Sequence, residues 1–360
     1  MKVFLQLDTP LSEVSTRIDN LLTSGTNGLF TFEGRHDVFI PLAIAASSGC
    51  GLDLMTNVAI AMPRSPLHLA HAAWDLQLLS GGRFRLGLGS QVRAHIERRY
   101  GATWTKPVAK MRESVLAIRE ILTAWDEGRQ PKHEGEFFTH TLSSPNFSPG
   151  PHPFGRPPVL MGALGPLMTR AAAEVADGLL VMPFNSRRHL EERTFPEISR
   201  GLDRGEREAD SFEIIPQVVV ALGSTPERLQ AAREGARKLL AFYASTPAYT
   251  PVLESEGCPE VHEQVRTIAR EGNWESLEEV FPNDLLTRIG VEGTPREAAR
   301  QVAARFGDFA ETVCCYFPGY QPTTDEVRDF VEALQEKAAP GPGGLGAVLK
   351  ATSPLASAVS

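Results

Sequence analysis

Along this chain, short apolar runs alternate with longer stretches in which apolar residues recur at helical spacing. The first run, "KVFLQL" (2–7), reads as a strand, and a helix follows over 12–22 with Ser12 as its N-cap. "GLFTF" (28–32), "LDLMTNVAI" (52–60) and "RFRLGLG" (83–89) read as the second, third and fourth strands, separated by helices over 39–48 and 66–79. Pro66 suits the first turn of the latter, where its missing N–H would have no helical partner anyway. A long helix is expected over 107–126. The segment 135–158, rich in Pro, Ser and Gly, breaks the rhythm and reads as an excursion with a small hairpin. Strands resume at 158–163, 178–183, 211–222 and 311–318. Between them fall a helix over 166–176 and a mostly helical insert over 224–290 carrying Trp274 and Phe281. A capped helix over 294–306 has Thr294 at N-cap, Pro295 at N1 and Glu297 at N3, and a last helix covers 324–337. From Ala339 onward no periodicity remains, and 339–360 is expected to be a disordered tail.

Eight β/α units over 1–338 predict one (β/α)8 TIM barrel domain with insertions after strands 4 and 7. A doubly wound sheet is the alternative. It calls for a glycine-rich first turn, whereas the first turn here, "QLDTPLSEV", has none. A net charge of −8 argues against a nucleic-acid partner, so an anionic ligand would need a local basic patch. No run is apolar enough for a membrane helix, and "MKVFLQLDTP" does not read as a signal peptide, so none is expected. Cys50, Cys258, Cys314 and Cys315 form no C-x-x-C pair, which points to structural thiols in a reducing cytoplasm.

The stretch "LSGGRFRLGLGS" (79–90) raises the question of a phosphate loop. A dinucleotide fingerprint must follow a strand and open a helix. Here Gly81 and Gly82 precede the strand, while Gly87 and Gly89 lie in it or at its end. On a barrel strand, Phe84, Leu86 and Leu88 share one face, and Arg83, Arg85, Gly87 and Gly89 share the other. Glycines at the carboxyl end let a flat ligand or another backbone approach. A second small-residue opening follows the fifth strand, where Gly162, Ala163, Leu164 and Gly165 lead into Pro166, and backbone N–H groups at such a helix start suit a phosphate. His68 and His71 lie three apart on one expected helix with no third ligand evident, so no metal site is assigned. Arg93, His95, Arg98 and Arg99 make a basic cluster after the fourth strand.

The segments "TNVAIAMPRSPLHLAHAAWDLQLLSGGRFRLGLGS" (56–90), "GALGPLMTRAAAEVADGLL" (162–180) and "GTPREAARQVAARF" (293–306) together resemble the bacterial luciferase-like oxidoreductase family. "GLFTFEGRHDVFIPLA" (28–43) and "GLGSQVRAHIERRYG" (87–101) are similar to its members that use coenzyme F420, a deazaflavin. The resemblance implies a barrel with the cofactor at the strands' carboxyl ends and a small organic substrate. It also implies a cis peptide behind the ring system, at Asn57-Val58. By matching position, Gly87, Gly89, Ser90 and Gln91 would contact the cofactor, and Gly162, Ala163, Leu164 and Gly165 would hold its phosphate. The basic cluster with His95 would seat the anionic F420 tail. The family often places an acidic residue followed by His at the second strand; this chain has Glu33-Gly34, with His36 beyond. Glu33 is then a candidate to bond the ring or polarise substrate, and His36 to move the proton. The alternatives are an FMN-dependent two-component monooxygenase and a non-catalytic flavin- or deazaflavin-binding protein. Family members are often homodimers, and the segments 135–158 and 224–290 are expected to line the substrate pocket.

Overall fold

The computed structural model describes residues 1–273, 276, 280–337 and 344–352. Eight parallel strands close into a ring: β1 (Lys2–Gln6), β2 (Gly28–Thr31), β3 (Asp53–Thr56), β4 (Phe84–Gly89), β5 (Val159–Ala163), β6 (Gly178–Val181), β7 (Glu213–Leu222) and β8 (Thr312–Tyr316). Each pairs with its neighbours in order, and β8 returns to β1 through Phe4↔Cys314 and Leu5↔Cys315. Ten-residue β7 changes partner along its length. Residues 213–216 pair with β6, 217–219 with β8, and 220–222 with a short strand, Val291–Gly293. The fold is therefore the (β/α)8 barrel that the alternation of patterns implies.

Helices α1 (Val14–Leu22), α2 (Ile40–Ser47), α3 (Pro66–Leu79), α4 (Pro107–Asp126), α5 (Pro166–Val175), α6 (Phe195–Arg204), α7 (Pro226–Ala244), α8 (Pro295–Phe306) and α9 (Thr324–Lys337) belong to the surrounding layer and its insertions. The strands' outward residues, among them Val3, Leu54, Leu86 and Val313, join them in one core. Inward positions stack in layers. At the amino end, Lys2 meets Asp53 at 2.9 Å and Arg85 meets Glu213 at 2.9 Å. Above this charged layer lies a plug of Phe4, Phe30, Met55, Leu160, Leu180, Ile215 and Cys314. That plug makes the barrel a filled core rather than a pore and leaves only its carboxyl mouth for a ligand.

Several local expectations give way to geometry. Ser12 does not cap α1. Residues Leu11–Glu13 form a single 3-10 turn, and the α-helix starts after it without a side-chain cap. The third strand stops at Thr56 and resumes as Ala59–Ile60, split by a turn at Asn57 and Val58. The hairpin of the excursion pairs His133–Glu134 with Thr139–His140, starting just ahead of 135. Within the segment expected to be a disordered tail, Gly344–Ala351 form a helix, and buried Leu345 and Leu349 explain it: two apolar residues four apart pack one face onto the barrel core. Trp274 lies outside the described residues, as do 338–343 and 353–360. Gly81 and Gly82, with φ of +66° and +86°, end α3 in the left-handed region. Thr294 and Glu297 form the expected capping box. The insert after β7 builds a second apolar cluster over the mouth, in which Phe184, Val219 and Ala221 meet Leu240, Leu253, Phe281 and Leu286.

Candidate functional site

The carboxyl mouth opens into a cavity of about 660 Å³, the size of an ordinary small-molecule site. Its floor is Gln6 from β1, Asn57 and Val58 from the turn after β3, Gln217 from β7 and Tyr316 from β8. The Asn57-Val58 peptide is cis, as the resemblance implies. Val58 rises between two glycines. A Cβ on Gly89 would stand 2.5 Å from Val58 Cγ2, and one on Gly162 would stand 3.2 Å from Val58 Cγ1. On Gly87 it would meet the Thr56 carbonyl at 2.0 Å. Packing against Thr56 and Val58 leaves no room for a Cβ at Gly87 or Gly89, and only a tight fit at Gly162. The structure thus gives Gly87, Gly89 and Gly162 a different task from the direct ligand contact expected of them.

The turn is tied down from one side. Glu33 accepts two hydrogen bonds from the Arg64 guanidinium, at 2.7 and 2.8 Å, and a third from the Ile60 N–H at 3.1 Å. Arg64 also donates to the Ile60 carbonyl. Glu33 does face the cavity, but both its oxygens are engaged as acceptors. That geometry fits a clamp on residues 57–60 better than the catalytic role expected from sequence. His36 is exposed and is not brought to the cavity wall.

Two side chains on the floor carry polar groups short of partners. Neither amide atom of Asn57, a residue only 3% exposed, meets a nitrogen or oxygen partner among the described residues; its polar neighbour is the buried Cys314 thiol, a weak one. The Tyr316 hydroxyl donates to Gln217 Oε1, and Gln217 Nε2 remains without a partner. Burial holds the Tyr316 phenol well above its ordinary pKa, so it stays a protonated donor. With Oε1 engaged by the hydroxyl, Nε2 is the buried end of the amide left without a partner. Buried amides short of partners are rare, because each forfeits its hydration. They fit the polar rim of a heterocycle lying over Val58.

At the rim, Gln91 adopts a left-handed φ of +58°, and its side chain accepts from the Val92 N–H. Gln91 and His95 line the cavity, whereas Ser90 does not and donates to the Gln91 carbonyl. Of the basic cluster, Arg99 also lines it and donates to the Gly34 carbonyl at 2.8 Å. Arg93 instead pairs with Glu97, and Arg98 does not line the cavity. Ala163, Leu164 and Gly165 lead from β5 into α5. Gly165 is the N-cap of that helix, has no capping side chain and faces open space. The first N–H groups of α5 thus carry no side-chain cap, but none of Gly162, Ala163, Leu164 and Gly165 lines the cavity.

The roof comes from the insert: Leu239, Phe242 and Tyr243 of α7, with Thr246 and Tyr249 after it. The Tyr243 and Tyr249 rings lie 5.3 Å apart, and Phe184 packs edge-on to Tyr249, also at 5.3 Å. Burial pushes the Tyr243 phenol up to about 12. The excursion 135–158 contributes nothing to the lining, contrary to expectation; it packs outside the barrel, where Phe154 lies against Gly82. The tyrosine wall falls within 224–290, the insert expected to line the pocket, although nothing in the sequence singles out its tyrosines. Gln6, Gln217 and Tyr316 are absent from the sequence-based site; they sit in runs that read only as strand, and nothing local marks them as facing a cavity.

Residues 14–312 match the model of the luciferase-like monooxygenase family. The chain belongs to that family. It is 42% identical over 270 residues to an uncharacterized protein of Mycobacterium tuberculosis, Rv1360, covering 75% of this chain and 79% of the relative. It is 28% identical to a 5,10-methylenetetrahydromethanopterin reductase of Archaeoglobus fulgidus, covering 74% and 77%. Among solved structures, the coenzyme F420 dependent tetrahydromethanopterin reductase from Methanopyrus kandleri superimposes with a TM-score of 0.74. That match covers 94% of this chain and 99% of the other at 19% identity. This family member thus shares a whole-chain architecture with a reductase while its sequence has diverged widely.

Proposed function

We propose that the protein is an F420-dependent oxidoreductase that moves a hydride between C5 of the deazaflavin and a carbon of a small organic substrate. The observation that carries this reading is the shelf at the barrel mouth: a raised Val58 flanked by glycines, with the amides of Asn57 and Gln217, short of partners, around it. The relatives named as F420-dependent or methylenetetrahydromethanopterin reductases support the choice of cofactor.

Bound on this shelf, the deazaflavin supplies the two-electron carrier. The chain's own residues supply position and a dry site. The cluster of Tyr243, Tyr249 and Phe184 keeps water from the floor. The Glu33–Arg64 clamp holds the shelf in place. When a carbonyl substrate is reduced, its carbon gains hydride and its oxygen gains a proton; oxidation of the alcohol is the reverse. The N–H groups of Asn57 and Gln217 are the donors able to meet such polar atoms. His95 is the imidazole facing the cavity, and proton exchange is assigned to it.

Gly165→Asp tests the reading. Aspartate at an N-cap is at least as good as glycine, so the fold should be as stable as before or slightly more so. Its charge would face the cofactor's phosphate. F420 affinity, followed by quenching of deazaflavin fluorescence, should fall at least tenfold, while the phosphate-free deazaflavin nucleoside binds as before. Unchanged F420 affinity, or apoprotein that takes up FMN and ignores F420, overturns the proposal.

A further inference from the structure

The cavity has a second arm that the shelf does not need. On this side the lining passes from Gln6 and Asp8 to residues of α1 and α9, with Leu5, Leu21 and Val327 as its apolar members. Arg17 of α1 lines this arm. Its one hydrogen bond joins Nη2 to the neutral amide oxygen of Gln321, at 3.5 Å. No carboxylate among the described residues pairs with it, and burial alone lowers its pKa, with no opposing charge beside it. Asp8, the acid nearest the start of the arm, accepts from Gln6 Nε2 at 3.3 Å.

Arg99, Arg207 and Arg305 also lack a carboxylate partner among the described residues, but each donates to backbone carbonyls, whereas Arg17 has a single long bond to a side-chain amide. Arg64, Arg85, Arg112, Arg119, Arg170, Arg228 and Arg233 each hold a carboxylate at 2.9 Å or closer. A half-buried guanidinium left with a neutral partner keeps most of its fork free, and that fork matches a carboxylate. The cofactor's phosphate does not explain it. The uncapped start of α5 follows β5, and in the closed ring β1, which carries the arm, lies diametrically opposite β5.

We propose that Arg17 is a substrate-recognition residue: it seats the carboxylate of an organic acid whose alkyl stem lies along Leu5, Leu21 and Val327, with the reacting carbon toward the floor. This rests on the oxidoreductase reading and narrows its substrate class to oxo- or hydroxy-carboxylates. The amide of Gln321, held against Arg17, is the second polar group of the seat. Arg17 is half-buried while Gln321 is exposed, so the outer end of the seat opens to solvent.

The test uses 8-oxononanoate and its methyl ester as probes, with binding to the purified protein measured by calorimetry with and without F420. The acid should bind at least tenfold more tightly than the ester. Arg17→Met should lose about tenfold or more in affinity for the acid and leave the ester unchanged, and Arg17→Lys should fall between. F420 affinity of both variants should equal that of the parent, which also reports that they are folded. Equal binding of acid and ester, no binding of the acid, or an acid affinity insensitive to Arg17→Met overturns the seat. Failure of the protein to bind F420, with acid selectivity and its dependence on Arg17 retained, would instead count against the cofactor assignment and leave the seat standing.

Discussion

Replacing Gly89 by alanine puts a methyl group where Val58 already stands. The added Cβ would lie 2.5 Å from Val58 Cγ2, against about 3.5–4.0 Å for an ordinary carbon contact. Val58 must therefore withdraw by roughly 1 Å, in a turn whose far side is fixed by the Glu33–Arg64 clamp. Overpacking of this kind costs about 1–3 kcal/mol. The next atom in line, Val58 Cβ, is 3.4 Å away, which a small adjustment accommodates. Val58→Ala removes the clashing methyl and should cancel most of the cost. Urea unfolding of the parent, both single variants and the double variant then gives an interaction energy of about 1–3 kcal/mol, with the double variant close to Val58→Ala alone. Gly87→Ala is the control. Its Cβ meets the Thr56 carbonyl oxygen at 2.0 Å, a backbone atom that Val58→Ala does not move. It should stay destabilised in both backgrounds. Strict additivity of Gly89→Ala with Val58→Ala, or a neutral Gly89→Ala, would falsify the account of these glycines as room made for the turn.

Other outcomes follow from groups away from the shelf. His189 is 1% exposed, and burial lowers its pKa to about 4 despite its contact with the Pro251 carbonyl. The folded state refuses a proton that the unfolded chain accepts below about pH 6.5. Stability is therefore full above that value, falls as pH drops toward 4 and levels off below. The total loss is at most about 3 kcal/mol, and His189→Gln should flatten this part of the denaturation profile. Burial alone would raise the pKa of Glu326, but Arg228 and the Thr323 and Ser224 N–H groups hold it at about 2. Its contribution is present above about pH 4.5 and disappears as pH falls through 2; Glu326→Gln should cost about 2–3 kcal/mol at neutral pH and little in strong acid. Tyr316→Phe frees the Gln217 amide to turn over, so F420 affinity should fall severalfold with little change in thermal midpoint; unchanged affinity would show that the amide's orientation is immaterial.

The barrel was legible because each strand carries its own signal. Apolar runs bounded by glycine, proline and polar turns recur at βα spacing, and Pro107, Pro166 and Thr294 mark helix starts that the structure keeps. The small residues at the mouth were legible too, but their purpose was not. A glycine in a strand reports that something comes close, and only coordinates say whether that is a ligand or, as at Gly89, a valine from the neighbouring turn. Glu33 was visible as an acid in the right place. Its partner Arg64 lies 31 residues away, and no local pattern couples the two. Gln217 and Arg17 were invisible for a related reason. Each sits at an unremarkable place in a strand or helix, and what sets it apart is polar capacity left over after a single side-chain neighbour, Tyr316 or Gln321, has been met in three dimensions.

The way β7 is shared has a consequence for traffic through the protein. The insert leaves the barrel at the end of this strand and comes back to it, since Val220, Ala221 and Leu222 are laced to Val291, Glu292 and Gly293. A cover stitched at both hems to one strand cannot hinge upward without tearing that ladder. Passage is then left to the parts of the rim that the insert does not cover, which include Gln91 and His95 as well as the flank beside Arg17.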